Sequence, residues 1–355
     1  MISKKLQILL LMFLPLLVTA QPWIKYPADK TKRGDLRVMF YNCENFFDTI
    51  NDPHTRDDEF TPQGQRHWNS YKYWTKVYHV GKVIIAVGGV RPPEMVGLCE
   101  IENRRVLEDL THKSPIKVFH YKIVHYESPD HRGIDVALLY LPQYIHVDTS
   151  YPIRVHFPPK LSTRPTRDIL YVRVRDKWND TLHVFVNHWP SRYGGHQATD
   201  PLRLFVARLV RRKADSILQL NPKANVLIMG DLNDYPTDIS LSKGLGAKFD
   251  FSHPQLTQLY DLSYYLQVKK GMYSHKHGDV KGILDQMIVS GALLLGSGGL
   301  KTGRNFAHIY YSPFLLVKDP FYPGYKMFRT YQGTKYIGGY SDHLPAFLDL
   351  FHVKK

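Results

Sequence analysis

Five short strings in this sequence each set acids, amides or imidazoles directly behind an apolar run. They are Asn42-Cys43-Glu44-Asn45, Glu100-Ile101-Glu102-Asn103, His188-Trp189-Pro190-Ser191-Arg192, Asp231-Leu232-Asn233-Asp234 and Ser341-Asp342-His343. A sixth, Leu284-Asp285-Gln286, opens an apolar run instead of closing one. Side chains at the ends of strands that share a sandwich converge on one rim, so distant positions can form one site. Oxygen ligands from Asp, Glu and Asn favour Mg²⁺, Mn²⁺ or Ca²⁺ over zinc. Two histidines beside such oxygens suit proton transfer and the stabilisation of developing negative charge. Any one of these residues alone would read as a turn or cap. The joint pattern reads as a catalytic site.

The elements that must carry these residues are short strands with occasional helices. Apolar runs at 36–41, 95–99, 134–141, 170–174, 183–186, 225–229, 283–289 and 346–351 read as strands. Apolar residues at helical spacing mark helices at 71–86, stopped by Gly88-Gly89, at 104–110 and at 201–220. Strands predominate, which favours a mixed α/β layered domain over a regular parallel sheet. A charged loop spans 52–65, and the stretch 273–279, with His275 and His277, reads as a solvated loop outside any metal site. No linker rich in Gly, Pro or Ser divides the chain, so a single domain is expected over 36–355.

Composition narrows the class. Hydrophobic residues make up 43% of the 355 and charged residues 22%, a globular mix that argues against disorder and fibrous repeats. Only 2 Cys are present, which excludes a disulfide-rich scaffold and a Cys-only zinc cluster. Cys43 follows Asn42 and Cys99 precedes Glu100, so strand alternation points both thiols away from the rim, and two buried free thiols are expected. Lys and Arg number 47 against 32 Asp and Glu, and the net charge of +15 points to a polyanionic partner or an anionic surface. Residues 1–20 place Lys4-Lys5 before an apolar run from Leu6 to Val18 and end in small residues at Ala20, the pattern of a cleaved signal peptide. That run is shorter than the roughly 20 residues needed to span a bilayer. No Cys follows Ala20 for lipid attachment, and no later stretch is long and apolar enough to cross. An exported protein, periplasmic or extracellular, with a lead segment over 21–35, is therefore expected.

Gly230-Asp231-Leu232-Asn233 and Ser341-Asp342-His343, in order after Asn42, Glu100 and His188, resemble the endonuclease/exonuclease/phosphatase superfamily with the DNase I-like fold. The likeness runs from about Leu36 to Leu350. It is similar to secreted Bacteroidetes-type members in His188-Trp189-Pro190-Ser191-Arg192 and in Arg132-Gly133-Ile134-Asp135-Val136-Ala137. The resemblance implies a four-layer α/β/β/α sandwich of two mixed sheets flanked by helices, with the site at one end. It implies Glu100 as the metal-binding glutamate, Asn42 as the amide supporting the metal site and Asp342 as a further metal-site acid. Asp231 matches the acid that orients or deprotonates the attacking water, and Asn233 the amide that holds phosphate beside it. His188 and His343 match the histidines that donate to phosphate oxygens, with Asp285 orienting and charging His343. For His188 the candidate partner acid is Asp135, with Glu127 second. Glu102 and Asp234 point elsewhere by alternation and read as structural. The implied ion is Mg²⁺, with Mn²⁺ as a substitute.

Such a site hydrolyses a phosphoester by in-line attack of water, with no covalent intermediate. The basic charge and the lack of an added lipid-binding domain favour a nuclease acting on DNA or RNA. The same residues suit a phosphatase or a sphingomyelinase-like phospholipase, and a non-catalytic binding module is the third class. Arg192 and Arg167, together with Arg164 and Arg203, are candidates for gripping substrate phosphates. Aromatic residues over 310–328 form a candidate wall that stacks on bases, meets lipid or packs on its own body. No obligate protein partner is evident.

Overall fold

The computed structural model describes residues 33–354. The leader expected over 1–20 and most of the lead segment lie outside the described residues. The chain runs through β1 (Leu36–Phe46), helix α1 (Ser70–Gly88), β2 (Met95–Ile101) and helix α2 (Arg104–Lys113). Then follow β3 (Lys122–His125), β4 (Asp135–Tyr140), β5 (Ile145–Ile153), β6 (Ile169–Asp176) and β7 (Thr181–His188). Helix α3 (His196–Leu220) leads to β8 (Asn225–Asp231), β9 (Leu259–Asp261) and the hairpin of β10 (His275–His277) and β11 (Val280–Gly282). Next come β12 (Asp285–Ser290), β13 (Leu300–Lys301) and β14 (Ala307–Ile309). Two small hairpins, β15 (Leu316–Lys318) with β16 (Tyr325–Met327) and β17 (Tyr331–Gln332) with β18 (Lys335–Tyr336), precede β19 (Ala346–His352).

Two large sheets result. The first has the order β13-β19-β1-β2-β4-β3, with β14 also on β19, and the second β5-β6-β7-β8-β12-β9. Each holds one parallel pair, β1 with β2 and β7 with β8, among antiparallel neighbours. Parallel neighbours need a crossover, and α1 and α3 supply it. Alternation then sorts the side chains. Phe185, Val226, Ile228 and Ile288 pack under α3 with Val206, Val210 and Ala214, while Val184, Val186, Leu227 and Met287 are buried on the opposite face. There β1, β2 and β19 lie against β7, β8 and β12. Gly97 leaves room for the facing sheet: a Cβ would stand 2.6 Å from the Met229 side chain and 3.2 Å from Phe40 and Val186. α1 packs on β1 and buries Tyr73, Val77, Val80 and Ile84, which completes the four-layer α/β/β/α sandwich.

Several boundaries differ from the sequence reading. α3 begins at His196, ahead of the expected 201, and carries Pro201 inside it. β5 was not expected because it is an edge strand whose residues are mostly half-exposed, so it lacks a buried apolar run. The stretch around His275 and His277, expected as a solvated loop, is the β10–β11 hairpin. Cys43 and Cys99 are buried and free, as alternation predicts. No helix among the described residues is long and apolar enough to cross a membrane.

Candidate active site

The strand directions gather the polar strings. Asn42, Glu100, His188 and Asp231 all stand toward the C-terminal ends of the two parallel pairs. His188 lies opposite Asp231 across β7 and β8, and Asp231 opposite Asp285 across β8 and β12. Asp342 and His343 arrive just ahead of β19, which runs antiparallel to β1. Glu100, His188, Asp231, Asn233, Asp342 and His343 thus line one cavity of about 610 Å³, drawn from both sheets.

Within it, hydrogen bonds fix the acids. Asn42 donates from Nδ2 to Asp231 Oδ2 at 3.0 Å and accepts at Oδ1 from the Glu44 N–H, so this amide orients Asp231. Asp231 Oδ1 accepts from the Asn233 N–H at 2.9 Å. Burial, with repulsion from Asp285, lifts the Asp231 carboxyl to about 6, although His343 pulls the other way. His343 Nδ1 meets Asp285 Oδ2 at 2.7 Å, and Nε2 stands 3.7 Å from Asp231 Oδ2. Burial opposes charge on His343, but the Asp285, Asp231 and Asp342 carboxylates outweigh it and hold the imidazole well above its ordinary range.

His188 is the opposite case. Its Nε2 lies 3.9 Å from Glu100 Oε1 and 3.8 Å from Asp231 Oδ2. Nδ1 has no hydrogen-bond partner among the described residues. Burial, with Arg167, Arg132 and His343 nearby, pushes its pKa well below the usual value, so the ring is neutral. Asp135 is not its partner, contrary to the sequence reading. Asp135 Oδ2 meets His125 Nε2 at 3.0 Å, and Oδ1 accepts from the Ser128 N–H. The reason is register: His125 pairs with Ala137, two residues from Asp135 on the same face of β4. Glu127 lies near His125 instead, at 3.9 Å.

The arginines also rearrange. Arg167 is buried, donating to Asp130 and to the Trp189 carbonyl, so it braces the His188 segment from behind and does not line the cavity. Arg203 is fully buried against Asp200 and Asp234. Arg192 does line the cavity, but it donates to the Asn233 carbonyl and Asp238 while lying 4.1 Å over the Tyr235 ring. Arg164 lies outside, in a separate shallow pocket. The arginine the sequence reading passed over is Arg132, which lines the cavity beside Gly133, a turn residue at φ 66°. Its only signal was its place at the head of the Arg132-Gly133-Ile134 string.

Asp342 accepts from Arg329 at 3.0 Å, and Arg329 donates in turn to buried Glu44. Burial works against charge on Asp342, but Arg329 and His343 keep its carboxyl below the ordinary value. Glu102 and Asp234 are structural, as alternation indicates: Glu102 caps the Asp48 N–H and Asp234 anchors Ser240. Glu44, Asn45, Glu100 and Asn233 all adopt the left-handed region, with φ between 51° and 57°. Such conformations cost energy in non-glycine residues and cluster at functional sites. At Glu100 the kink coincides with a register shift between β2 and β4, which re-aims the carboxylate so that Oε2 accepts from the Asn45 N–H.

The sequence matches the Endonuclease/Exonuclease/phosphatase family over residues 37–352. No match is found among curated proteins. Among solved structures, a humanized D. rerio TDP2 superposes with a TM-score of 0.54 at 15% identity, covering 90% of this chain and 99% of that one. The human Nocturnin catalytic domain gives 0.50 at 16%, covering 90% and 94%. A mannosyl-6-phosphatase from Bacteroides thetaiotaomicron gives 0.53 at 15%, covering 89% and 99%. At these identities the structures show a shared fold.

Proposed function

The chain belongs to the endonuclease/exonuclease/phosphatase family, and from that premise we propose that it is an exported, Mg²⁺-dependent phosphoester hydrolase. One observation carries the mechanism: a charged Asp285–His343 pair faces Asp231 and neutral His188 across a single cavity. The family is generally dependent on a divalent metal, and the donor set fits one. Glu100 and Asp231 offer carboxylate oxygens, the hard ligands that Mg²⁺ prefers, while Asp342 is paired with Arg329. Glu100, with Asp231 beside it, would hold the ion, while Asn42 is spent on orienting Asp231. When bound, such an ion offsets charge on the phosphoryl oxygens.

The chain's own residues do the rest. Asp231, with its carboxyl near 6, is ionised at neutral pH and positioned to orient the attacking water and take its proton. His343 enters as imidazolium and donates from Nε2 to a phosphate oxygen, with Asp285 fixing the proton on Nδ1. His188 donates as a neutral imidazole, and Arg132 adds charge at the cavity wall.

For the substrate, the geometry favours an ester bound through one phosphate. Two of the arginines expected to form a multi-phosphate groove, Arg167 and Arg203, are buried, and Arg192 is held by Asp238. The nuclease is the second reading, favoured by the net charge of +15 and by Tyr193, which projects fully exposed at the cavity mouth. Hydrolysis of a small phosphomonoester, DNA and RNA, each with and without Mg²⁺, tests both. Metal-dependent turnover of the monoester alone supports the first reading, and turnover of nucleic acid alone replaces it with the second. Unchanged turnover after exhaustive chelation, or in Glu100→Gln, sinks the metal assignment. Export is tested by the N-terminus of protein recovered outside the cytoplasm, expected at Gln21.

A further inference from the structure

The hydrolytic scheme leaves two imidazoles of the cavity unused, those of His275 and His277. His275 faces His343 through an antiparallel bridge from β10, with the two rings 4.9 Å apart. One ring nitrogen of each and one oxygen of Asp342 lie within 4.8 Å of one another. We infer that His275, Asp342 and His343 form a second cation site, selective for borderline divalent ions such as Zn²⁺, and that an ion held there inhibits the hydrolase. The inhibitory part rests on the role of His343 proposed above; the binding part does not.

The donor set carries the selectivity. Two imidazole nitrogens and one carboxylate oxygen suit Zn²⁺, Co²⁺ or Ni²⁺, whereas the oxygen-only set around Glu100 suits Mg²⁺. Asp285 already engages His343 Nδ1, which leaves Nε2 as the atom free to face an ion. A carboxylate on the far nitrogen is the usual support of a metal-ligating histidine. The hairpin is also pinned on both sides of His275. The Leu344 N–H donates to the Ser274 carbonyl at 2.8 Å, and the buried Lys276 ammonium pairs with Asp319. Burial keeps His275 itself neutral, with its pKa down at about 3, so the ring offers a lone pair.

An ion at His343 Nε2 occupies the very atom that would otherwise donate to phosphate. An ion at this place therefore blocks turnover instead of supporting it. The same protein would need Mg²⁺ and be silenced by zinc.

Calorimetric titration of Zn²⁺ into Mg²⁺-saturated protein tests the site, comparing wild type with His275→Gln and with His277→Gln on the same hairpin. We expect zinc affinity to fall at least ~10-fold in His275→Gln and to stay unchanged in His277→Gln. The zinc inhibition constant, each variant normalised to its own zinc-free rate, should move by the same factor. In wild type, imidazole NMR signals of two histidines should shift with the first equivalent, a readout that needs no variant to fold. Superimposable isotherms for wild type and His275→Gln, equal losses in both variants, or no shifted imidazole would overturn the site. If zinc binds as described but no phosphoester is hydrolysed with any metal, the functional reading fails and the cation site stands.

Discussion

His188 and His343 face one cavity with opposite protonation, and the difference lies in their partners. His343 has Asp285 at 2.7 Å, while His188 Nδ1 has no partner among the described residues. Sequence strings named both histidines and every carboxylate of the rim, because strand ends are local features. The choice of Asp135 for His188 failed because pairing across a sheet depends on register, which no short string encodes. Asp285→Asn keeps the size of the side chain and removes the charge that holds His343 protonated. We expect kcat to drop about 10²-fold or more. Because the His343 pKa is held high in wild type, its loss of activity on the alkaline side should begin at lower pH in the variant; identical alkaline limbs would remove Asp285 from this role. Glu102 gives a stability test. Burial, with Asp48 and Asp57 near, lifts its carboxyl to about 9 in the fold, above the ordinary value of 4.5. Its stabilisation is fully present below the unfolded value and is lost as pH rises through about 9. Glu102→Gln keeps an acceptor for the Asp48 N–H, so its melting temperature should gain on that of wild type progressively from about pH 5 to 9 and level off above it. A constant difference between the two would show that Glu102 does not titrate there.

At the scale of elements, α3 does more than cross between β7 and β8. Its buried Arg203 reaches Asp234, in the loop that also carries Asn233, and donates to the Ser191 and His196 carbonyls. The helix start is thereby tied to two of the strings that line the cavity. Helical spacing and a basic face were legible in 201–220, but the burial of Arg203 was not, because an arginine on a helix reads as solvated until its acid is located. Arg203→Met should destabilise by ~3–5 kcal/mol, the typical result of removing one partner from a buried pair. Thermal melting checks this, and a loss under 1 kcal/mol would mean that Asp234 finds another partner. The hairpin at His275 escaped for a different reason. Its strands have three residues each and no apolar alternation, so their pairing follows from contacts with β16 and Asp319 and not from intrinsic preference.

At the scale of the molecule, the layered architecture was legible because both crossovers leave the same mark, an apolar strand, an amphipathic helix and a second apolar strand. Net charge was a poorer guide, since a sum over the sequence does not say which arginines are buried. Salt dependence separates the two substrate readings directly. With a cleavage-deficient Asp231→Asn protein, affinity for a small phosphoester should fall gently with salt. Nucleic acid held through several phosphates would show a log–log slope of about −3 or steeper, at roughly −0.7 to −0.9 per contact, and such a slope would reinstate the groove. Strand order has one more consequence. Among the described residues β19, the last strand, pairs with β1, the first, and Asp342 and His343 lie just ahead of that pairing. Glu100 and Asp231 precede His343 by more than a hundred residues of chain. On the reading proposed above, a chain that has not yet placed β19 would lack the imidazolium that faces phosphate, and it should hydrolyse no phosphoester.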